Sequence, residues 1–277
     1  MSKRRQSFTD ESEQGPEGST PKRARWSTYN DVFTILAGAE ESPSIIHKDR
    51  LCQSSDFLTA ACSREWKEGK EKTIRIPTIE STTFELYTEW VHCKEVNLAK
   101  IMPAARVDGY GPHTPEERAE EVRQLVKLYI AGDKLLDERV KNTVIDELTV
   151  RSEAWPQHSL CIPPDAILDL WESSVESSPL RGMLLNSFAS TQDVSTIEPF
   201  EKTTYPAAFF YDLAIHQMHV RDHEPCGYRP TVDNHCKFHN HYTGSDEIVQ
   251  GAECHRVKYK PLMSRAHLLQ RKMMGRT

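Results

Sequence analysis

The chain has 277 residues, 38% hydrophobic and 27% charged, with a formal net charge of −6. That length suits one large domain or two modest ones, and no run approaches the ~18 consecutive apolar residues of a membrane span. Seven cysteines, an odd number thinly spread, do not make a secreted disulfide framework and point to a reducing compartment.

Residues 1–27 offer only Phe8 and Trp26 as aromatic side chains among Ser, Glu, Gly, Pro and Arg. Such a segment buries too little apolar surface to offset the entropy of ordering, so a disordered basic tail is expected. It also lacks the apolar run of a secretory signal. Lys3, Arg4 and Arg5, then Lys22, Arg23 and Arg25, form two basic clusters. They read either as a two-part nuclear import signal or as a solvated tail.

Order is expected from Asp31. Val32 to Leu36 is β-branched and aromatic and ends in Ala37-Gly38, the pattern of a strand and turn. Ser44 to Lys48 reads as its hairpin partner after a polar loop containing Pro43. Two short helices follow, over Asp49–Gln53 and Ser55–Ser63, the second burying Phe57, Leu58 and Ala61. Thr73 to Ile76 alternates like a third strand before Pro77 ends it. Asp31 is expected to fix the start of the first strand, and His47 to pack between strand and helix.

Thr82 and Glu85 have capping-box spacing and open a helix whose buried stripe is Phe84, Tyr87, Trp90 and Val91. Residues 97–113 are irregular, a loop insertion. Thr114, Pro115 and Glu117 then combine an N-cap, a first-turn proline and a capping glutamate. The helix they open carries Val122, Leu125, Val126, Tyr129 and Ile130 at helical spacing. Residues 137–150 repeat the pattern with Val140, Val144, Ile145 and Leu148. Beyond Pro163 three further stripes follow: Ile167, Leu170, Trp171 and Val175; Leu180, Met183, Leu184 and Phe188; Phe209, Phe210, Leu213 and Ala214. Periodicity stops after Arg221.

Several motifs in this order resemble a BTB/POZ domain. They are Asp31-Val32 before a strand, His47-Lys48 before Leu51-Cys52, Ser55 and Phe57, and Trp66-Lys67-Glu68. Ile74 to Pro77, Phe84 to Trp90 and Leu128 to Leu135 continue the match. The resemblance covers roughly residues 28–150. Ser178 to Arg181, and Tyr205-Pro206 through Ala214, are similar to the helical extension of fungal BTB proteins. It implies an α+β fold, a small sheet capped by α-hairpins, followed by an all-helical extension over 151–222 and a Cys/His-rich, basic region over 223–277. It also implies an adaptor that binds other proteins, for a cullin-type ubiquitin ligase or a transcriptional complex. The longest helix and the loop at 92–113 are then the expected docking surface. Dimeric members swap an extra N-terminal helix; that place is taken here by the polar tail, so a swapped homodimer is not expected.

No Gly-rich phosphate loop, Gly-x-Ser-x-Gly elbow or His-Glu-x-x-His helix occurs, so no enzyme is expected. Cys52 and Cys62 read as small buried hydrophobes, and the Glu116-Glu117 and Glu120-Glu121 pairs as a solvated or capping helix face. Seven of twelve histidines and three of seven cysteines fall between 216 and 255. Thiolates and imidazoles at that density suit tetrahedral zinc. His216, His219 and His223 share a helix face if the helix reaches that far. Cys236, His239, His241 and Cys254 are the preferred structural zinc ligands, with Cys226 as the substitute; the tract resembles one near the ends of fungal BTB proteins. The alternative is a surface hairpin with solvent-exposed histidines. Charge divides the chain further: +2 over 1–27, −6 over 28–150, −6 over 151–222 and +4 over 223–277. Residues 256–277 hold seven Lys or Arg and no acid. A second reading is therefore a nuclear regulator whose zinc-stabilised basic end contacts nucleic acid. Nucleus or cytoplasm is the expected compartment.

Overall fold

The computed structural model describes residues 31–98, 114–154, 160–190, 205–223, 238–242 and 248–250. The basic tail, nearly all of the 97–113 insertion and the segment 256–277 lie outside them. Among the described residues no helix is long and apolar enough to cross a membrane.

The class is α+β: a small sheet and a larger set of helices. Strand β1 (Val32–Ala37) is central, antiparallel to β2 (Ser42–His47) on one side and parallel to β3 (Thr73–Ile76) on the other. Phe33, Ile35 and Ala37 alternate into the core, the period of a half-buried strand. Gly38, at φ 75°, supplies one of the two left-handed residues of the β1–β2 turn, and Glu41, at φ 52°, the other. Asp31 fixes the start of β1: its carbonyl accepts from Lys48 N at 2.8 Å and its carboxylate pairs with Lys72 at 2.8 Å.

Pro43 stands inside β2, not in the expected loop. Because Lys48 N bonds inward to Asp31, strand alternation turns the even residues of β2 toward β1 and the odd ones outward. Pro43 therefore occupies an edge position where its missing N–H costs no ladder bond. His47 is exposed at the end of that edge, not packed under the helices as expected.

Helices α1 (Lys48–Cys52), α2 (Asp56–Ala61) and α3 (Lys67–Glu71) link β2 to β3. Helix α2 makes under two turns; Leu58 is buried in the core and Ala61 packs partly buried against it. Phe57 lies about 100° round the helix from Leu58 and is 38% exposed, contrary to expectation. Helix α4 (Ser81–Cys93) starts two residues early, with Glu80 rather than Thr82 as its N-cap, so Thr82 and Glu85 form no capping box. The Glu40 carboxylate accepts from Ser81 instead, and that bond holds its pKa below the usual value.

Helix α5 (Pro115–Lys134) opens with the expected capping box: Thr114 Oγ1 accepts from Glu117 N, and Glu117 returns to Thr114 N. Its whole stripe is buried. Helix α6 (Glu138–Ala154) lies against it, with Val140, Val144, Ile145 and Leu148 fully buried. Then come α7 (Pro164–Ser173), α8 (Pro179–Ser190) and α9 (Ala207–His223). Val175 falls beyond the end of α7 and is 70% exposed, so it leaves the expected stripe. On α9, Phe209 fills the core while Phe210 and Ala214, one position further round, face outward. Structure continues past Arg221: α9 reaches His223, and a strand pair, β4 (Asn240–Tyr242) with β5 (Ile248–Gln250), follows. One continuous apolar cluster runs from Phe33 through α4, α5 and α6 to Trp171, Leu180, Phe209 and Phe238.

Candidate interaction surface

The turn between α5 and α6 places an apolar side chain in solvent at a conformational cost. Helix α5 ends with Leu135 as C-cap, and Leu136 follows at φ 52°. Asp137 N donates to Gly132 O at 2.8 Å, and Leu136 N to Asp133 O at 3.1 Å. These are the two bonds of a Schellman ending, whose left-handed position usually holds glycine. Here it holds leucine, and the side chain is 58% exposed. A branched residue in that region costs roughly 1–2 kcal/mol.

The turn is fixed from beneath. Asp137 is fully buried and caps α6: its Oδ1 accepts from Arg139 N at 3.1 Å and Val140 N at 3.2 Å. Its Oδ2 accepts from the Tyr87 phenol of α4 at 2.9 Å. Burial nevertheless pushes the Asp137 carboxyl up to about 6, because desolvation outweighs those donors. Gly132 lets α6 approach closely: a Cβ there would meet Val140 Cγ1 at 2.5 Å.

The same turn is tied to α1 and α2. Ser55 Oγ donates to Leu135 O at 2.5 Å, and Arg139 Nη1 to Gln53 O at 3.1 Å. Lys94, just past α4, lies 4.2 Å over the Trp90 ring and donates to Ser54 Oγ at 2.7 Å. Leu136 thus lies on the α5–α6 connection, and that connection and Arg139 in the first turn of α6 are bonded directly to the α1–α2 connection preceding Phe57. Sequence reasoning did not single out Leu136 or Asp137. Asp137 was findable as an Asp three residues before the apolar Val140, ordinary N-cap spacing. Leu136 leaves no such mark.

The longest helix, expected to be a docking surface, is instead the centre of the core: α5 buries ten of its residues. Nor does Glu121 lie on a solvated face. It is buried with Glu147 and Arg151, whose guanidinium contacts them at 2.9 and 2.5 Å. Burial opposes the Arg151 charge, but the two carboxylates raise its pKa. Glu120, by contrast, pairs with Arg123 in a partly exposed position.

Of the preferred zinc ligands, His239 is the one whose side chain falls among the described residues. It is buried, with Nε2 3.0 Å from Asp146 Oδ1 of α6. His241 is on β4, opposite Val249. Cys226, Cys236 and Cys254 lie outside the described residues, as do the basic residues Lys3, Arg4, Arg5, Lys22, Arg23 and Arg25. His216 and His219 are on α9, one turn apart; burial and then His219 lower the His216 pKa. Among the described residues no three His, Cys, Asp or Glu side chains converge as a metal site. Cys62 is a buried thiol pushed up to about 12 by desolvation and by Cys52, the environment of an inert cysteine.

A crevice of about 520 Å³ opens between the start of α4, α5 and α7. Two of its cations bond within the wall: Lys127 pairs with Glu80 at 2.8 Å, and Lys134 donates to the Thr78 carbonyl at 2.9 Å. No protein-family model matches the chain, and no curated protein matches it.

Proposed function

We propose that the chain is a BTB-type interaction module, an adaptor that presents a fixed surface to other proteins, foremost a cullin-type ubiquitin ligase scaffold, with a transcriptional complex as the other setting. Leu136 carries this reading. It is an exposed leucine at a left-handed glycine position, on a turn held by a buried aspartate and by bonds to two other segments. Strain kept at one exposed apolar position is a mark of recognition sites, and a rigid turn lowers the entropy cost of binding. The strand and helix order supports the BTB assignment that the sequence motifs suggest. Titration of the purified chain with the N-terminal domain of a cullin-type scaffold tests it. Micromolar or tighter binding at one-to-one stoichiometry is expected, and no heat at ~100 μM of each protein contradicts it.

One contact favours the second reading, a nuclear regulator with a zinc-stabilised basic end. A carboxylate against one nitrogen of a histidine orients the ring for a metal on the other, and Asp146 stands so against His239. Cys236, His239, His241 and Cys254 would hold one structural zinc, with Cys226 as the substitute.

A further inference from the structure

The outer edge of β2 faces an open groove. No strand pairs with that edge among the described residues, and Ile45 on it is 72% exposed. The groove, of about 700 Å³, lies between Ser44 of β2 and Glu85, Leu86, Thr88, Glu89 and His92 of α4. Its floor is apolar at Leu86, and its rim carries two carboxylates four residues apart on one helix face. An extended segment meeting it would gain backbone bonds from the strand edge, chiefly at Ile45, whose N–H and C=O turn outward by the alternation above. It would gain charge attraction if it bore cations on alternate residues.

The chain supplies such a segment. Pro21-Lys22-Arg23-Ala24-Arg25-Trp26 has arginines at i and i+2, on one face of an extended chain and about 6.6 Å apart. Glu85 and Glu89 are separated by about 6 Å of helix rise. The tail joins β1 at Asp31, and Val32 pairs with His47 at the end of β2. That end lies near the groove: the His92 pKa is lowered first by burial, then by Arg50 and His47. Six residue steps from Asp31 to Arg25 span up to about 20 Å, enough to turn round the end of β2 and lie along its edge.

We propose that residues 22–26 dock in this groove of their own chain, adding a strand to β2 and setting Arg23 and Arg25 against Glu85 and Glu89. The pairs are solvent-accessible, so the docked state is in rapid exchange and sensitive to salt.

Trypsin cleavage of the full-length chain at low ionic strength tests this, with cleavage after Arg5 as the internal reference. Cleavage after Arg23 and Arg25 is expected to lag the reference by about fivefold or more, independent of protein concentration. The Glu85→Gln/Glu89→Gln variant, or 0.5 M salt, should abolish the lag. An unchanged lag in a variant that melts like the parent overturns the proposal. Protection that rises with protein concentration also overturns it, since the occupant is then a second copy's tail. If the variant melts early, zero-length carbodiimide crosslinking of an Arg23→Lys/Arg25→Lys variant decides. A bond from position 23 or 25 to Glu85 or Glu89 is expected, and its absence overturns the proposal.

Discussion

The Tyr87 phenol donates to Asp137 Oδ2 at 2.9 Å, fifty residues along the chain, and both side chains are fully buried. The bond joins the helix after the sheet to the N-cap of α6, and the exposed Leu136 sits on the residue in between cap and helix end. Trp90 Nε1 bonding to Thr143 Oγ1 at 3.2 Å adds a second tie between the same helices. Together they make the α5–α6 turn a rigid part of the core.

Asp137 makes stability depend on pH in an unusual direction. Its folded pKa of about 6 stands above the ordinary 3.8, so the folded state holds the proton more tightly. The stabilisation linked to that proton is full below about pH 4 and is lost as pH rises through about 6, worth up to ~3 kcal/mol. Asp137→Asn keeps an N-cap oxygen and removes the titration. Urea unfolding from pH 4 to 7.5 should show the variant gaining on the parent by about 2–3 kcal/mol across the window. A difference independent of pH would remove Asp137 as its source.

The buried Glu121–Arg151–Glu147 cluster should be costly to break. Arg151→Ala leaves two carboxylates without their cation, and a loss of roughly 3–5 kcal/mol is expected. The exposed pair Lys67–Glu71, 3.8 Å apart, provides the contrast: Lys67→Ala should cost under about 0.5 kcal/mol. Equal losses in denaturant unfolding would mean that the cluster is solvated.

Aromatic truncations should separate core from surface. Phe84 and Tyr129 are buried on α4 and α5, so Phe84→Ala or Tyr129→Ala should cost roughly 3–5 kcal/mol. Phe57→Ala should cost under about 1 kcal/mol, because the residue is already 38% exposed. A large loss at Phe57 would place it in the core.

These contrasts mark what the sequence could convey. Helix stripes such as Val122 to Ile130 and the Thr114 capping box depend on local spacing, and they were legible. Phe57 and Phe210 were misassigned because two adjacent apolar residues on a helix cannot both face one core, and spacing alone did not choose between them. The Thr82 cap failed through a distant residue, Glu40, and Pro43 through its place on an edge strand. The exposed leucine was hidden for another reason: its meaning lies in a backbone angle, which composition does not encode.

Zinc has a direct test. Protein purified without chelators should carry about one equivalent by elemental analysis, with affinity falling on acidification as thiols and imidazoles protonate. Chelation should raise hydrogen exchange at Asn240–Tyr242 and leave α4 to α6 protected. Less than about a tenth of an equivalent would leave the histidines as parts of a metal-free hairpin.

The adaptor reading rests most directly on Leu136. Leu136→Gly relieves the left-handed strain and should raise stability by up to about 1 kcal/mol, while removing the side chain offered to a partner. Calorimetric titration of parent and variant with the same cullin-type scaffold domain decides the matter. The account predicts at least tenfold weaker binding by a variant no less stable than its parent; equal affinity would contradict it.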